Sequence, residues 1–357
     1  MRISTACGGT GGHTFPGLAT GRVLAARDHD VEVLSAGRAI EGATLKGWDG
    51  AVFPSGAPKS PLRHPLRLAA SVARLCAHFS RRRPDAVLAM GSYASLPPVL
   101  AARLLRIPVV LHEANAVPGQ SIAFLSRFAK IVAIAFPECA EHFRKGTETA
   151  MTGLPVRLDL LDQPPLDLGE AADGETRTVF VTGGSQGAYR MNKAVAEALA
   201  ALAARPDGPR FRVIHQTGTH EDAEEWTRRR YAEAGIKARV TGFVKEMGGA
   251  YKAADLVVAR SGAATCAEIS LFGKPAVFIP LPNAPGDHQY LNAKHFAAAG
   301  VAKVLRQEDC SPTALADAIA AALADAAMRK AAEAASDGLL ARGAAERLAD
   351  LVEGERR

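Results

Sequence analysis

Cysteine is scarce in this chain, and its few cysteines are not arranged for metal binding or for a disulfide framework. Only five residues are cysteine, and they are scattered with no C-x-x-C pair: Cys7, Cys76, Cys139, Cys266 and Cys310. Such scatter excludes a zinc ribbon and favours buried thiols in a reducing compartment. No apolar run is long enough to span a bilayer, and the N-terminus enters a strand-like run directly, which predicts no signal peptide.

Acidic residues are few in the first part of the chain. Residues 1–150 contain 18 Lys and Arg against 10 Asp and Glu, whereas the remainder contains 25 against 27. The basic excess predicts an anionic surface or substrate for the first half, although drift within a basic proteome also explains it. The length of 357 residues is sufficient for two domains, and 48% hydrophobic residues are typical of a globular protein.

The segment Ala259–Asn292 is predicted to fold as strand, helix, strand, loop and helix. Its first turn, Arg260–Gly262, places free backbone N–H groups at a helix start, which suits an anion such as a diphosphate. Glu268 lies about one turn into that helix, where a carboxylate can accept two hydrogen bonds from a ribose. Gln289 carries an amide that both donates and accepts, as sugar hydroxyls require. An ordinary βαβ crossover with a charged surface helix explains the same spacing, so both interpretations stay open.

A glycine-rich loop, Gly8–Gly12, follows the first predicted strand and precedes a helix that Thr14 is expected to cap. Glycines in a strand-to-helix turn let the backbone approach a ligand closely, with the helix dipole behind it. No Lys-Ser or Lys-Thr pair follows, which excludes a P-loop, and Thr14 holds the third glycine position of a dinucleotide fingerprint. A nicotinamide enzyme is therefore disfavoured. His13 ends the loop, either as a general base or as a histidine that bonds only backbone.

The pattern of the first half is repeated in the second half. A proline-containing polar segment, 153–177, is typical of an inter-domain linker. After it come a strand at Val179–Thr182, a second glycine loop at Gly183–Ala188 and a helix at Met191–Ala204. This repeat predicts two similar doubly wound α/β domains that face each other across a cleft.

A basic segment, Lys59–Arg83, lies between two predicted strands of the first half. Apolar residues recur in it at helical spacing, and arginines flank them: Leu68, Val72, Leu75 and Phe79 with Arg63, Arg67, Arg74 and Arg81–Arg83. A segment of this kind can lie on an anionic membrane surface. It can also pack its apolar stripe on a sheet while its arginines are solvated, and the two roles are compatible.

Eight short motifs occur in order along nearly the whole chain. They read GGTGGHTFPGLA, MGSYASLPP, HEANAVPG, GLPVR, GGSQGA, GFVKEM, ARSGAATCAE and DHQYLNA. The ordered set resembles the MurG family, the undecaprenyl-diphospho-muramoylpentapeptide β-N-acetylglucosaminyltransferases of bacterial peptidoglycan synthesis. The chain departs from the family pattern at Ser92 and Leu96, where many members have glycines, and at Ala114, where a glutamine is usual.

The resemblance implies a GT-B glycosyltransferase, an α/β fold of two Rossmann-like doubly wound domains facing across a cleft. The first expected domain is residues 1–156, on the acceptor and membrane side. The second, residues 157–336, is expected to bind UDP-GlcNAc. A C-terminal helix in residues 337–357 is expected to return to the first domain.

The same resemblance assigns roles to individual residues. Val244, beside Phe243, matches the uracil contact, Glu268 the ribose contact and Gln289 the residue that reads the GlcNAc hydroxyls. His13 matches the region of the proposed base, and Asn115 a contact from the opposite domain. The other residues expected to bind substrate lie in the first glycine loop, near the diphosphate and at the helix start: Thr10, Gly11, Gly12, Arg157, Ser185, Ala263, Ala264 and Thr265.

The implied reaction is an inverting transfer of GlcNAc from UDP-GlcNAc to the MurNAc 4-hydroxyl of lipid I, which forms lipid II. The expected partners are UDP-GlcNAc, lipid I and an anionic membrane surface, with no metal, no cofactor and no nucleic acid. The expected location is peripheral, on the cytoplasmic face of the plasma membrane. The alternatives are another GT-B enzyme, such as a diacylglycerol galactosyltransferase or a UDP-GlcNAc epimerase, and a non-catalytic nucleotide-sugar-binding module.

Overall fold

The computed structural model describes residues 1–8, 11–37, 45, 47–58, 60, 63–169, 175–184, 187–336 and 338–354. The chain divides into two compact units. Unit 1 comprises Met1–Arg157 together with Leu340–Arg357, and unit 2 comprises Leu158–Leu339.

Unit 1 is a parallel α/β unit that the last helix of the chain completes. Its strands are β1 (Arg2–Ala6), β2 (Asp30–Ser35), β3 (Ala51–Pro54), β4 (Ala86–Ala89), β5 (Val109–Glu113), β6 (Ile131–Ile134) and β7 (Thr149–Met151). Its helices are α1 (Gly11–Ala26), α2 (Pro65–Arg81), α3 (Leu96–Leu104), α4 (Gln120–Leu125) and the C-terminal α12 (Ala344–Gly354).

The described strands of unit 1 form a seven-stranded parallel sheet in the order β3-β2-β1-β4-β5-β6-β7. The order reverses between β1 and β4, and such switch points are where open α/β sheets bind ligands. The central strands read as continuous apolar runs because helices cover both faces. One core contains residues of α1 and α12, and the other contains residues of α2, α3 and α4.

The C-terminal helix α12 is attached to unit 1 by ion pairs as well as by its apolar face. Leu348 and Val352 are fully buried in the core beneath α1. Arg27, just after α1, pairs with Asp350 at 2.7 Å and with Glu353 at 3.1 Å. These contacts fix the end of the chain on the same unit as its beginning.

Unit 2 repeats the plan with a six-stranded sheet among the described residues. Its strands are β8 (Arg177–Thr182), β9 (Phe211–Gln216), β10 (Ala238–Thr241), β11 (Leu256–Ala259), β12 (Ala276–Phe278) and β13 (Ala302–Val304), in the parallel order β10-β9-β8-β11-β12-β13. Its helices are α5 (Tyr189–Ala203), α6 (Ala223–Glu233), α7 (Met247–Ala253), α8 (Ala263–Leu271), α9 (His288–Ala298), α10 (Pro312–Ala324) and α11 (Ala326–Ala335). The order reverses between β8 and β11, as in a Rossmann unit.

The predicted strands at the centres of both sheets and the helices that follow them are confirmed. The predicted start of one helix is wrong. Helix α1 begins at Gly11, so Thr14 lies inside the helix and does not cap it. Pro16 lies inside α1, where it has no N–H to donate to the carbonyl of Gly12. No helix among the described residues has both the length and the apolar character needed to cross a membrane.

Candidate active site

The switch point of unit 1 is a pair of loops that hydrogen bonds tie together. The Ser92 hydroxyl, after β4, donates to the Gly8 carbonyl, after β1, at 3.0 Å. The Ser95 hydroxyl donates to the Gly91 carbonyl at 2.6 Å. The two strand ends that flank the switch point are therefore held at a fixed separation.

His13 lies at this switch point, in the first turn of α1. A methyl group added to Gly91 would lie 3.5 Å from His13 Nδ1, so the ring packs against the loop after β4. Nδ1 is enclosed without a partner of good hydrogen-bond geometry among the described residues. Burial lowers the pKa of His13, and a weaker effect of the Met90 backbone raises it. The imidazole is therefore largely neutral at pH 7, the form that accepts a proton.

The end of β5 contributes a buried acid that holds the following loop in place. Glu113 Oε1 accepts hydrogen bonds from the Asn115 backbone N–H at 2.9 Å and from Asn115 Nδ2 at 3.1 Å. Its Oε2 accepts from the Gly119 N–H at 2.9 Å. Burial raises the pKa of Glu113, and these hydrogen bonds lower it. Asn115 is thus oriented by Glu113, a residue to which the sequence patterns assigned no role.

His112, next to Glu113, is buried near the loop that follows β7. Its Nε2 lies 2.8 Å from the Gly153 carbonyl oxygen. That distance requires a proton on Nε2, because a carbonyl oxygen can only accept. Burial is the main cause that lowers the pKa of His112 to about 4, with the Gly153 hydrogen bond acting against it and the nearby His13 adding a smaller lowering effect.

The remaining predicted residues of unit 1 lie near the start of α1. Gly11 and Gly12 are the first two residues of the helix. The Arg157 guanidinium lies 4.9 Å from the ring centroid of Phe15, in a cation–π contact. The fold therefore places Arg157 close to the helix that carries His13. Thr10 lies outside the described residues.

Unit 2 has a cavity of about 640 Å³ at its own switch point. The wall includes the glycine loop after β8, the first turns of α5 and α8, and the loop that precedes α9. Thr265 and Gln289, two predicted binding residues, line this cavity. A volume of this size is within the range of small-molecule sites.

The described wall of this cavity is positively charged. Arg190 and Arg260 line it, and no Asp or Glu does among the residues that the structure describes. Arg260 is only 6% exposed, and burial lowers its pKa to about 10, so it remains charged at pH 7. The first turns of α5 and α8 add the partial positive charge of helix N-termini. The arrangement suits an anion such as a phosphate.

The start of α8 is positioned by buried hydrogen bonds from α9. Asn292 Nδ2 donates to the Ser261 carbonyl at 3.0 Å, and the Ser261 hydroxyl donates to the Gln289 carbonyl at 2.8 Å. Ala263, Ala264 and Thr265 then form the first turn of α8. The Gln289 side chain accepts from the Leu281 N–H at 3.0 Å, which leaves its Nε2 without a partner among the described residues.

Two other predicted residues, Glu268 and Val244, are held by side chains of unit 2. Glu268 Oε2 accepts a hydrogen bond of 2.9 Å from the Tyr251 hydroxyl. Val244 is buried, and its backbone N–H donates to Gln216 Oε1 at 2.9 Å. Phe243, beside it, is 56% exposed. Neither Glu268 nor Val244 is part of the described cavity wall. Ser185 lies outside the described residues.

Gln216 is a positioning residue that sequence reasoning missed. Its Nε2 donates to the Gly184 carbonyl at 3.1 Å and to Thr182 Oγ1 at 3.3 Å, while its Oε1 accepts from Val244. Because β9 lies between β8 and β10, a side chain at its carboxyl end reaches the loops after both neighbours. The sequence feature that could have indicated Gln216 is an amide side chain at the end of a predicted apolar strand.

The second glycine loop also packs closely on the loop after β9. Gly187 has a φ of +75°, and a methyl group added there would lie 2.1 Å from the Thr217 carbonyl oxygen. Only glycine fits this position without a shift of backbone. Among the described residues there is no group of three or more His, Cys, Asp or Glu side chains that could hold a metal ion.

Comparison with protein families matches both units of the chain. Residues 3–134 match the glycosyltransferase family 28 N-terminal domain, and residues 178–352 match the glycosyltransferase family 28 C-terminal domain. The first match lies within unit 1, and the second covers nearly all of the sheet of unit 2 and continues into α12 of unit 1. Together they include both switch points.

Individual relatives extend this similarity over nearly the whole chain. A protein of Geotalea uraniireducens (strain Rf4), named UDP-N-acetylglucosamine–N-acetylmuramyl-(pentapeptide) pyrophosphoryl-undecaprenol N-acetylglucosamine transferase, is 38% identical over 88% of each chain. A protein of the same name from Geobacter sulfurreducens is 37% identical over 98% of this chain and 97% of the relative. The crystal structure of Acinetobacter baumannii MurG is 30% identical, covers 99% of both chains and has a TM-score of 0.80.

Proposed function

This chain belongs to the family of UDP-N-acetylglucosamine–N-acetylmuramyl-(pentapeptide) pyrophosphoryl-undecaprenol N-acetylglucosamine transferases, and from that premise we propose how its two units perform the family reaction. The enzyme transfers GlcNAc from UDP-GlcNAc to lipid I and forms lipid II in peptidoglycan synthesis. The predicted resemblance to the MurG family and the predicted GT-B fold of two Rossmann-like units are thereby confirmed.

The donor is assigned to unit 2, and the charge of its cavity is the observation that carries this assignment. Two arginines and two helix N-termini meet at the switch point, with no acidic side chain among the described lining residues. A nucleoside diphosphate needs such a site because it carries its negative charge on the diphosphate. The two ring systems of UDP-GlcNAc then extend from the diphosphate toward either side.

The uridine and sugar contacts follow from the residues around the cavity. Exposed Phe243 offers a face for the uracil ring beside Val244, whose backbone Gln216 holds in place. Glu268, held by Tyr251, accepts the ribose hydroxyls. Gln289 has an amide nitrogen available to the GlcNAc hydroxyls.

The acceptor is assigned to unit 1, with His13 as the general base. The MurNAc 4-hydroxyl attacks the anomeric carbon of GlcNAc, a new C–O bond forms on the opposite face and the bond to UDP breaks with inversion. His13 accepts the hydroxyl proton, and the bonding electrons leave with UDP. Helix N-termini and Arg260 stabilise the charge on the departing UDP without a bound metal.

The membrane contact is assigned to the first turn of α2. Leu66 is 85% exposed. Arg67, next to it, and Arg63, two residues before the helix, are exposed and form no ion pair with any described residue. An exposed leucine between unpaired arginines suits the interface of an anionic bilayer, where apolar and basic groups are both stabilised. We infer that unit 1 binds peripherally to the cytoplasmic face of the plasma membrane, where lipid I is anchored.

UDP release from UDP-GlcNAc, measured with and without a soluble lipid I analogue, tests the proposal. The expected result is release that requires the analogue and a product with a β-1,4 linkage. Release with diacylglycerol instead would indicate a lipid galactosyltransferase-like enzyme, and conversion of the sugar without an acceptor would indicate an epimerase. Binding of UDP-GlcNAc without release under any condition would indicate a non-catalytic module.

The donor assignment has a separate test in Glu268→Ala. The variant is expected to raise the KM for UDP-GlcNAc because the ribose loses its acceptor. An unchanged donor KM would remove Glu268 from the site while leaving the overall reaction intact.

A further inference from the structure

Arg190 is a cation on the donor cavity of unit 2 to which neither the family motifs nor the comparisons assign a role. It is the second residue of α5, it lines the cavity and it is exposed. It makes no hydrogen bond or ion pair with any residue that the structure describes. A long, charged side chain of this kind is available for a ligand.

The other cation on the cavity wall, Arg260, uses most of its N–H donors in hydrogen bonds to other residues of the protein. Its Nη1 donates to the carbonyls of Ile279 at 2.9 Å and Pro280 at 2.8 Å, and its Nη2 donates to Gln307 Oε1 at 2.5 Å. These bonds hold the guanidinium in the wall. Arg260 therefore contributes a fixed positive charge, but little of its N–H fork is free to grip a phosphate.

The charge of the described cavity wall favours an anionic ligand. Arg190 and Arg260 line the cavity, and no acidic residue does among those that the structure describes. Arg260 Nε is buried and has no hydrogen-bond partner among the described residues, so this atom does not offer a donor to the cavity. Of the two arginines, Arg190 is therefore the one whose guanidinium can reach a ligand.

The nearest other cation on α5, Lys193, faces aromatic rings. Its Nζ lies 4.6 Å from the ring centroid of Tyr189 and 5.1 Å from that of Trp226. The other partner of Tyr189 is His220, which stacks on it at 4.1 Å. These contacts hold Lys193 and Tyr189 in place, and Lys193 is not part of the described cavity wall.

We propose that Arg190 binds the diphosphate of the nucleotide donor and stabilises the negative charge that develops on UDP as it leaves. The proposal rests on the donor site described above. As the bond between the GlcNAc anomeric carbon and the β-phosphate oxygen breaks, its electron pair passes to that oxygen. UDP thus carries one more negative charge than the UDP moiety of the intact donor. A guanidinium that pairs with this group stabilises the transition state more than the bound substrate.

The planar fork of arginine predicts a graded effect of substitution. Arginine can form two parallel hydrogen bonds to a phosphate, whereas lysine binds as a point charge and alanine does not bind it. Arg190→Lys should therefore retain part of the effect that Arg190→Ala removes. Arg229, an exposed arginine on α6 outside the described cavity wall, provides the matched control.

Calorimetric titration of the full chain with UDP and with uridine tests the proposal. We expect Arg190→Ala to weaken UDP binding at least about tenfold, the scale of one charge-assisted hydrogen bond, and to change uridine binding less than about twofold. Arg190→Lys should fall between Ala and wild type, and Arg229→Ala should equal wild type. In turnover assays, Arg190→Ala should lower kcat more than it raises the KM for UDP-GlcNAc.

The outcomes separate this inference from the proposed function. If wild type binds UDP no better than uridine, the donor-site assignment itself fails. If wild type prefers UDP and Arg190→Ala keeps the same preference, the inference on Arg190 is overturned. Equal loss of UDP and uridine binding, or a change only in the acceptor KM, would also overturn it.

Discussion

A histidine can act as a general base only if it is neutral at the working pH, and the environment of His13 favours the neutral form. Burial lowers the pKa of His13, and a weaker effect of the Met90 backbone raises it. Nδ1 is enclosed without a hydrogen-bond partner among the described residues. A proton held on Nδ1 would leave Nε2 to accept the proton of the attacking hydroxyl.

This environment predicts how turnover depends on pH. Since the pKa of His13 is lowered from its ordinary value of 6.5, kcat should stay level through neutrality and fall only at lower pH, as the imidazole gains a proton. His13→Gln should lower kcat by about 10²–10⁴-fold and remove this acid limb. Steady-state rates between pH 5 and 8 measure both effects.

The control for His13 is His142→Gln, an exposed histidine of unit 1 that should leave the profile unchanged. His13→Ala should lower turnover far more than it weakens UDP-GlcNAc binding. An equal loss of both, or an acid limb that survives in His13→Gln, would make His13 a positioning residue.

Ser92 shows how the switch point of unit 1 retains a strained residue. Its φ of +58° and ψ of 170° lie in a region that is essentially restricted to glycine. Its hydroxyl donates to the Gly8 carbonyl and accepts from the Ala94 N–H at 3.1 Å. The family resemblance expects a glycine here, and the backbone angles give the physical reason.

The strain at Ser92 predicts an unusual order of stability. Ser92→Ala loses both hydrogen bonds and keeps the strain, while Ser92→Gly loses the bonds and removes the strain. The glycine variant should therefore be the more stable by about 1 kcal/mol, although a protein with alanine at a given position is ordinarily more stable than one with glycine. Thermal unfolding of the two variants side by side tests this, and a higher melting temperature for Ser92→Ala would show that the backbone is not strained.

At the scale of elements, the apolar stripe of α2 packs as predicted, while its first turn is left exposed. Leu75 and Phe79 are fully buried in the core, whereas Leu66 is 85% exposed. The first turn therefore contributes little to the core, and substitutions there should spare the fold. That separation allows membrane binding to be tested without loss of structure.

We expect Leu66→Glu combined with Arg67→Glu to reduce binding to phosphatidylglycerol vesicles. Each basic residue near an anionic surface contributes about 1 kcal/mol, and charge reversal adds repulsion to the lost apolar contact. Co-sedimentation with vesicles measures binding, and turnover on a soluble lipid I analogue should remain at the wild-type level. Arg229→Glu on α6 of unit 2 is the control, and retained binding of the α2 variant would place the membrane contact elsewhere.

Central strands could be predicted from sequence because burial on both faces makes them continuous apolar runs. Three of the four edge strands, β3, β7 and β13, were missed. Most residues of β3 and β7 are exposed or half-buried, so they have no apolar pattern to distinguish them from loops. Strand β13 has only three residues, of which two are half-buried.

The residues of the candidate site also differ in how far the sequence could indicate them. The local order of strand, turn and helix around Gln289 could be predicted from spacing, and Gln289 lines the cavity. Thr265, which also lines it, was named through the family resemblance. Gln216 could not be predicted, because its role depends on the loops that the sheet order brings to either side of β9. The contact of Arg157 with Phe15 joins opposite ends of unit 1, and no local pattern encodes it.

At the scale of the whole molecule, each unit buries a neutral histidine, so both units should respond to acid. His112 in unit 1 bonds the Gly153 carbonyl, and burial lowers its pKa to about 4. His215 in unit 2 lies 2.8 Å from the Tyr231 hydroxyl and 3.3 Å from Asn192 Oδ1, and burial lowers its pKa to about 3. Neither network has an acidic partner that would stabilise an imidazolium.

The sign of the effect follows from where the proton binds. An unfolded histidine takes up a proton below about pH 6.5, while these two remain neutral in the folded state until about pH 4 and about pH 3. Acid therefore favours the unfolded state, and each histidine should cost about 2 kcal/mol of unfolding free energy between pH 6.5 and pH 5. His13, whose pKa is also lowered, acts in the same direction.

Chemical unfolding followed across this pH range would measure the loss, and the slope with pH isolates each histidine. His215→Gln should be less stable than wild type at pH 7, because it disturbs the contacts with Tyr231 and Asn192, but its stability should fall less steeply toward pH 5. His112→Gln should flatten the slope for unit 1 in the same way. Because the carboxylates titrate mainly below this window, a slope that neither variant changes would mean that both histidines become protonated in the folded protein.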